Sequence, residues 1–398
     1  MALQPLRQTQ IPQGVIVPYG WMAKILKIPV FRLALGNDLV SRIVISVHNF
    51  FSRLCQSGNR SFQSFDSAIA QRSVDRFAAL GAQISFVVPR DGRGEIQMMS
   101  FRARDLEQRI RSLGGSWERR NCAGKQVFAI IPPKHETAEW VDFKEKLSHF
   151  GWREENGMWI TCDCADAIPS NNEKKCFLYA HSTSHSFASD WKRAGFYIGA
   201  KQDLCFFDNG NTWKNRGRPP SEESFYLEIE AVYNKIKDDY SINDLWVGGS
   251  CGGAPVAAYL KRLLHHKGIN FFVEQSFPDL DDFVKPISSF FAPRVKGSLS
   301  DPALSMEQRP PACQFGAAKL WEDLHRYEGY QNGKFILVQV REDEHISSEA
   351  YERYLALAHK LNANVKHLLY SSTANWRHAD DFFRYQVPRR EFIQAVFN

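Results

Sequence analysis

Three short stretches hold residues that could do chemistry together. In Leu245-Trp246-Val247-Gly248-Gly249-Ser250-Cys251-Gly252-Gly253-Ala254, two nucleophilic side chains sit side by side among glycines. In Arg341-Glu342-Asp343-Glu344-His345-Ile346-Ser347, carboxylates follow an apolar run, and Arg377-His378-Ala379-Asp380-Asp381-Phe382 supplies an imidazole. A hydroxyl or thiol becomes a useful nucleophile when an imidazole removes its proton, and a carboxylate can hold that imidazole in the right tautomer. Such a set would transfer an acyl group to water.

The first stretch admits three readings. A strand that turns sharply into a helix forces its central residue into strained backbone angles, so the residues two before and two after must be tiny. With Ser250 central these are Gly248 and Gly252, and with Cys251 central they are Gly249 and Gly253. Sterics do not choose between them, and a glycine turn without chemistry is the third reading.

The elements that must position these residues follow from periodicity. From Lys175 onward, strands alternate with helices: strands over 176–180, 195–200, 204–208, 244–248, 270–274, 334–340 and 364–370, and helices over 221–240, 252–266 and 348–361. This alternation predicts βαβ units and a doubly wound, mostly parallel sheet, an α/β fold. Ligands in such a sheet sit at the carboxyl ends of strands, where all three stretches fall. Upstream, β-rich runs around Asp91-Gly92 predict a hairpin from Gln83 to Met99. Helices near 103–113 and 136–150 each end at glycine, and Trp117 and Trp152 follow in similar places, which hints at a duplicated helix-then-strand unit. They form an α+β insertion at about 103–160 within a domain running from 83 to 398. Residues 1–82 read as a helical N-terminal extension. In it Leu39, Ile43, Val47, Phe50 and Leu54 stripe one helix from Asp38 to Leu54, and a second helix covers Phe65 to Leu80. The proline-bearing passage 296–315 reads as a loop over one edge.

Gly248-Gly249-Ser250-Cys251-Gly252-Gly253, between a strand and a small-residue helix, resembles the nucleophile elbow of the α/β-hydrolase superfamily in its Gly-x-Ser-x-Gly-Gly form. The resemblance spans about residues 83–398 and implies the α/β-hydrolase fold, with a triad in the order nucleophile, acid, histidine. It makes Ser250 the nucleophile, since both following glycines then match the family's pair and Cys251 falls where only a backbone N–H is needed. It makes Asp343 the acid, with Glu342 and Glu344 as neighbours that could serve, and His378 the base, with His345 as the poorer alternative. It assigns the oxyanion hole to the backbone N–H groups of Cys251 and Thr183. There Phe177-Leu178-Tyr179-Ala180-His181-Ser182-Thr183 carries Ser182 where the family has glycine. Asp208-Asn209-Gly210 matches a structural turn. The layout also resembles the chlamydial CHLPS-type proteins and related secreted lipase-like proteins of intracellular bacteria, which implies a bacterial protein acting on host material.

The expected activity is therefore a serine hydrolase that cleaves a carboxylic ester or thioester, acyl-lipid included, through an acyl-enzyme. A Cys251 hydrolase of the dienelactone type and a catalytically inactive hydrolase-fold scaffold stand as alternatives, the scaffold supported by Ser182. With 50 Lys and Arg against 44 Asp and Glu, the net charge of +6 is mild for 398 residues and forms no basic tract, so no nucleic-acid partner is expected. No cofactor or metal is expected either: Cys162 and Cys164 form the one close cysteine pair and lack the second pair that tetrahedral zinc needs. No apolar run of about 18 residues is present, as a transmembrane helix would require. The N-terminus lacks the apolar region of a secretory signal, so the expected location is the cytoplasm, or outside by a route without a cleavable signal peptide. The mildly basic chain and the Asp38–Leu54 stripe would suit peripheral contact with an anionic membrane. Oligomeric state has no signature here.

Overall fold

Cys176–Ala180, Asp203–Phe207, Leu245–Ser250, Asn270–Glu274 and Phe335–Val340 are buried at every position, as strands covered on both faces must be. The computed structural model describes residues 74–170, 174–181, 191–207, 222–279, 333–343, 345–361, 364–373, 377–378 and 381–398. The Asp38–Leu54 helix, Ser182, Thr183, the 208–210 turn, the 296–315 loop and Glu344 lie outside the described residues.

The strands, in chain order, are β1 (Gln83–Val87), β2 (Ile96–Phe101), β3 (Ser116–Cys122), β4 (Lys125–Ile131), β5 (Arg153–Glu155), β6 (Met158–Cys162), β7 (Cys176–Ala180), β8 (Asp203–Phe207), β9 (Leu245–Ser250), β10 (Asn270–Glu274), β11 (Phe335–Val340) and β12 (Val365–Tyr370). The helices are α1 (Ala103–Ser112), α2 (Ala138–Leu147), α3 (Trp191–Gly199), α4 (Glu222–Ile236), α5 (Gly253–Leu263), α6 (Ser348–Leu361) and α7 (Gln386–Phe397). The main sheet has eight strands in the order β1-β2-β8-β7-β9-β10-β11-β12. β2 is antiparallel to both its neighbours, and every pairing from β8 to β12 is parallel. From β7 the chain goes outward to β8 and then returns across β7 to β9, so the switch point of the sheet lies between the ends of β7 and β9.

The period of two along each strand sorts side chains onto two faces. Phe177, Tyr179, Trp246 and Phe272 join α3 and α7 in an aromatic-rich core, while Leu178, Ala180, Val247 and Val273 face α4, α5 and α6. Gly248 lets the aromatic face close: a Cβ there would meet the Phe272 ring at 2.1 Å.

The insertion repeats one unit, α1-β3-β4 and then α2-β5-β6, and joins the copies into a four-stranded sheet of order β3-β4-β6-β5. In each copy a glycine at positive φ follows the helix (Gly114 at 81°, Gly151 at 74°), then a buried Trp117 or Trp152. Each hairpin turns through two left-handed residues, Ala123 and Gly124 (φ 50° and 80°) or Asn156 and Gly157 (φ 52° and 73°), the geometry that matches strand twist. The insertion shares the aromatic core of the main sheet rather than building a separate one. Val74, Phe77 and Leu80 belong to that core too, with Phe77 edge-on to Phe150 at 5.3 Å. The boundary drawn after residue 82 thus has side chains of one core on both sides.

One element differs from expectation. Residues 195–200, read as a strand, belong to helix α3 and the turn after it. Gly195 and Gly199 lie one turn apart on that helix because the insertion presses against them: a Cβ would meet the Phe150 carbonyl at 2.1 Å or the Thr161 carbonyl at 2.2 Å.

Candidate active site

At the end of β9 the structure separates the two neighbouring nucleophiles. Ser250, expected at the apex of the turn, is the last residue of the strand, in register with Glu274 of β10. By alternation it shares the face of Trp246 and Gly248, beneath the rim of the sheet. Cys251 is the residue that leaves the ladder, at φ +48°, where only the demand of a sharp turn holds a non-glycine residue. The glycines two before and two after it meet: a Cβ on Gly249 would lie 2.6 Å from the Gly253 carbonyl group, and one on Gly253 would lie 2.2 Å from the Ala180 carbonyl oxygen. The sharp turn is therefore built on Gly249 and Gly253 and centred on Cys251, one residue beyond the expected Ser250. Cys251 is half-buried and packs on Phe277, Ile346, Ala350 and Tyr351.

The Cys251 amide, expected as an oxyanion donor, is engaged within the sheet. Its N–H donates to the Glu274 carbonyl at 3.1 Å, because the residue after a parallel strand still reaches its neighbour. With Cys251 at the apex, the next N–H belongs to Gly252, at the start of α5, where backbone amides point out of the helix end.

Asp343 and His378 are brought together. The His378 Nδ1 lies 2.9 Å from Oδ2 and 3.1 Å from Oδ1 of Asp343, which makes Nδ1 the protonated donor. Asp343 Oδ1 also accepts the His345 and Ile346 N–H groups at 2.8 and 3.0 Å, and Oδ2 accepts the Tyr351 hydroxyl at 2.5 Å. Burial alone would raise the Asp343 carboxyl, but the hydrogen bond and charge of His378, with the other donors, hold it below its ordinary range. Burial and the adjacent carboxylate push the Tyr351 phenol far up, so it remains a donor. Burial opposes the charged form of His378, yet the charge of Cys251 and hydrogen bonds to Asp343 and Cys251 push the imidazole up to about 10. With Nδ1 on Asp343, Nε2 is the nitrogen that can exchange a proton with Cys251.

The alternatives take other parts. Glu342 accepts the Ser372 N–H at 3.2 Å and so ties β11 to the stretch after β12. The His345 ring stands edge-on to His378 with centres 5.0 Å apart, while its backbone N–H binds Asp343. Among the described residues no three His, Cys, Asp or Glu side chains converge as a metal site requires, and no helix is long and apolar enough to cross a membrane. Sequence reasoning missed Tyr351, eight residues beyond Asp343 on α6, and no local pattern marks it.

Counted along the chain, the main sheet has the order 1-2-4-3-5-6-7-8 with the second strand reversed. The left-handed turn at Cys251 follows the fifth strand, the Asp343 carboxylate the seventh and the His378 imidazole the eighth. The chain has the α/β-hydrolase fold. No family model and no curated protein matches the sequence. Among solved structures it is similar to an esterase of Pyrococcus furiosus (14% identity over 81% of this chain and 94% of that one, TM-score 0.44). It is also similar to the esterase LipW of Mycobacterium marinum (11% identity, 84% and 85%, TM-score 0.44). The hydrolase fold places Cys251, Asp343 and His378 on three strand ends at one rim of the sheet.

Proposed function

We propose that this protein is a hydrolase that cleaves a carboxylic ester or thioester through Cys251, with His378 as base and acid and Asp343 as the group that orients it. The observation that carries this reading is the left-handed backbone of Cys251 between the closely packed Gly249 and Gly253. The Cys251 sulfur, as thiolate, attacks the acyl carbon, and the tetrahedral oxyanion takes a hydrogen bond from the Gly252 N–H. The intermediate collapses by breaking the bond to the leaving oxygen or sulfur, which takes a proton from the His378 imidazolium. A water molecule then attacks the acyl-Cys251 thioester while neutral His378 removes its proton, and the carboxylic acid leaves as the thiol and imidazole recover their starting proton. Position beside the start of α5 favours the anionic sulfur.

Iodoacetamide on the intact chain tests this. Alkylation of Cys251 is expected to abolish p-nitrophenyl ester hydrolysis, with Cys251→Ala equally inactive and Ser250→Ala keeping most of the activity. Activity lost in Ser250→Ala and kept in Cys251→Ala would overturn the assignment, and a folded protein with no turnover of any ester or thioester would favour the scaffold. The acyl-lipid preference rests on the +6 charge and the Asp38–Leu54 stripe alone. A chain-length series of p-nitrophenyl esters beside a phospholipid and an acyl-CoA checks it.

A further inference from the structure

Strand β10 carries no member of the triad, yet the three residues at its end hold both the nucleophile turn and the histidine loop. The Glu274 carbonyl accepts the Cys251 N–H, and the Ser276 hydroxyl donates to the Cys251 carbonyl at 2.8 Å. Between them Gln275 stands at φ +44°. Its Nε2 donates to the Arg377 carbonyl at 3.0 Å, one residue before His378, and to the Tyr370 hydroxyl at 3.2 Å, where β12 ends. The Glu274 carboxylate, 2% exposed, is ion-paired to Arg193 of α3 and takes the Tyr179 and Tyr197 hydroxyls at 3.2 Å each. The other arm of the same guanidinium binds Asp381 at 2.9 Å, three residues beyond His378. The rings of Tyr179 and Phe383 lie 4.8 and 5.2 Å from its centre.

We propose that Glu274, Gln275 and Ser276, with Arg193 as their charged arm, are positioning residues that set the separation of Cys251 and His378. The histidine loop is pinned on both sides of the imidazole, at Arg377 and at Asp381, and both pins start from the strand end that also holds the Cys251 backbone. Neither device is chosen for stability. A buried ion pair gains little over apolar residues of the same volume, and a glutamine in the left-handed region is strained. Both make sense where two reacting groups on separate loops must keep one geometry, because a displacement of about 1 Å costs on the order of 10²-fold in rate.

The inference rests on the Cys251–His378 reading, and the test separates the two. In the full chain, Gln275→Ala and the double variant Arg193→Met/Glu274→Leu, which removes both charges of the buried pair together and leaves the part-exposed Asp381 to Arg384 at 3.6 Å, are compared with wild type. Both are expected to lose about 10- to 100-fold in kcat with KM moved less than about threefold, and to shift the pH profile of Cys251 alkylation. Arg193→Lys restores part of kcat. Lys261→Met is the control for stability: this buried lysine on α5 donates to the Ile269 carbonyl at 2.7 Å, away from the triad, and its loss lowers Tm without changing kcat. Wild-type kcat and an unchanged alkylation profile in Gln275→Ala and in the double variant would overturn the proposal, and Gln275→Ala alone decides it if the double variant does not fold. Should alkylation of wild-type Cys251 leave hydrolysis intact, the triad reading falls first, a result that needs none of these variants.

Discussion

Strands β9 and β10 lie side by side and end alike. Ser250 pairs with Glu274, and the next residue on each strand is a non-glycine at positive φ, Cys251 at +48° and Gln275 at +44°. Their surroundings differ. Cys251 has glycines two residues to either side and opens into the first turn of α5, half-exposed. Gln275 is 5% exposed and directs its amide to the far side of the active site. The same backbone device thus serves the proposed nucleophile on one strand and a set of hydrogen bonds on the next. Left-handed geometry after a strand does not by itself make a nucleophile; room around the side chain and a helix end behind it are needed too.

The largest test of this contrast is chemical. Cys251→Ala is expected to lower kcat/KM by about 10⁴-fold, against the smaller loss in Gln275→Ala, both measured on p-nitrophenyl esters. Next comes the packing that only the β9 turn requires. Gly253→Ala puts a methyl against the Ala180 and His181 carbonyl oxygens and should cost about 3 kcal/mol or more in urea unfolding, whereas Gly92→Ala meets nothing within 4 Å and should cost about 1 kcal/mol for its φ of +68°. Relief of strain sharpens the comparison further. Cys251→Gly should raise unfolding stability by about 1 kcal/mol while the enzyme dies; Gln275→Gly should gain nothing, because two lost hydrogen bonds offset the relief. The smallest effect is in the pH profile. A raised folded pKa keeps the imidazolium charged through neutrality, so kcat/KM should show no rise through pH 6.5 governed by His378 and should fall on the alkaline side as the ring loses its proton near pH 10. An acid limb that disappears in a His378 variant would mean the ring rests neutral, as beside a serine.

Asp343 and His378 were legible because each is placed by its order after a strand: β11 before Asp343 is buried at every position, and β12 before His378, a half-exposed edge strand, follows from its place in the alternation. Ser250 against Cys251 was not, since either register leaves glycines at the required positions. The choice is made by where β9 releases its last ladder partner, a property of its pairing with β10. Helix α3 escaped for the opposite reason: buried on nearly every side, with Gly195 and Gly199 pressed against the insertion, it has no polar stripe to mark it as helical. Arg193 and Glu274 meet their partners across long stretches of chain, where no periodicity can point to them, and Tyr351 reaches Asp343 from the next helix with no local pattern to mark it.

The doubled helix–hairpin insertion has a consequence for chain entropy. Phe101, at the end of β2, pairs with Leu204 of β8, so the sheet must close a loop that contains the whole insertion. Closing a flexible loop costs about 0.6 kcal/mol more for each doubling of its length, and contacts distant in sequence form slowly. The two hairpins close over two-residue turns, and the β4–β6 pairing joins them within the same segment. Once folded, the segment brings its two ends together and so shortens the effective loop that the pairing of β2 with β8 must close. Lengthening either hairpin turn would then slow folding of the central sheet while leaving every residue of the rim unchanged.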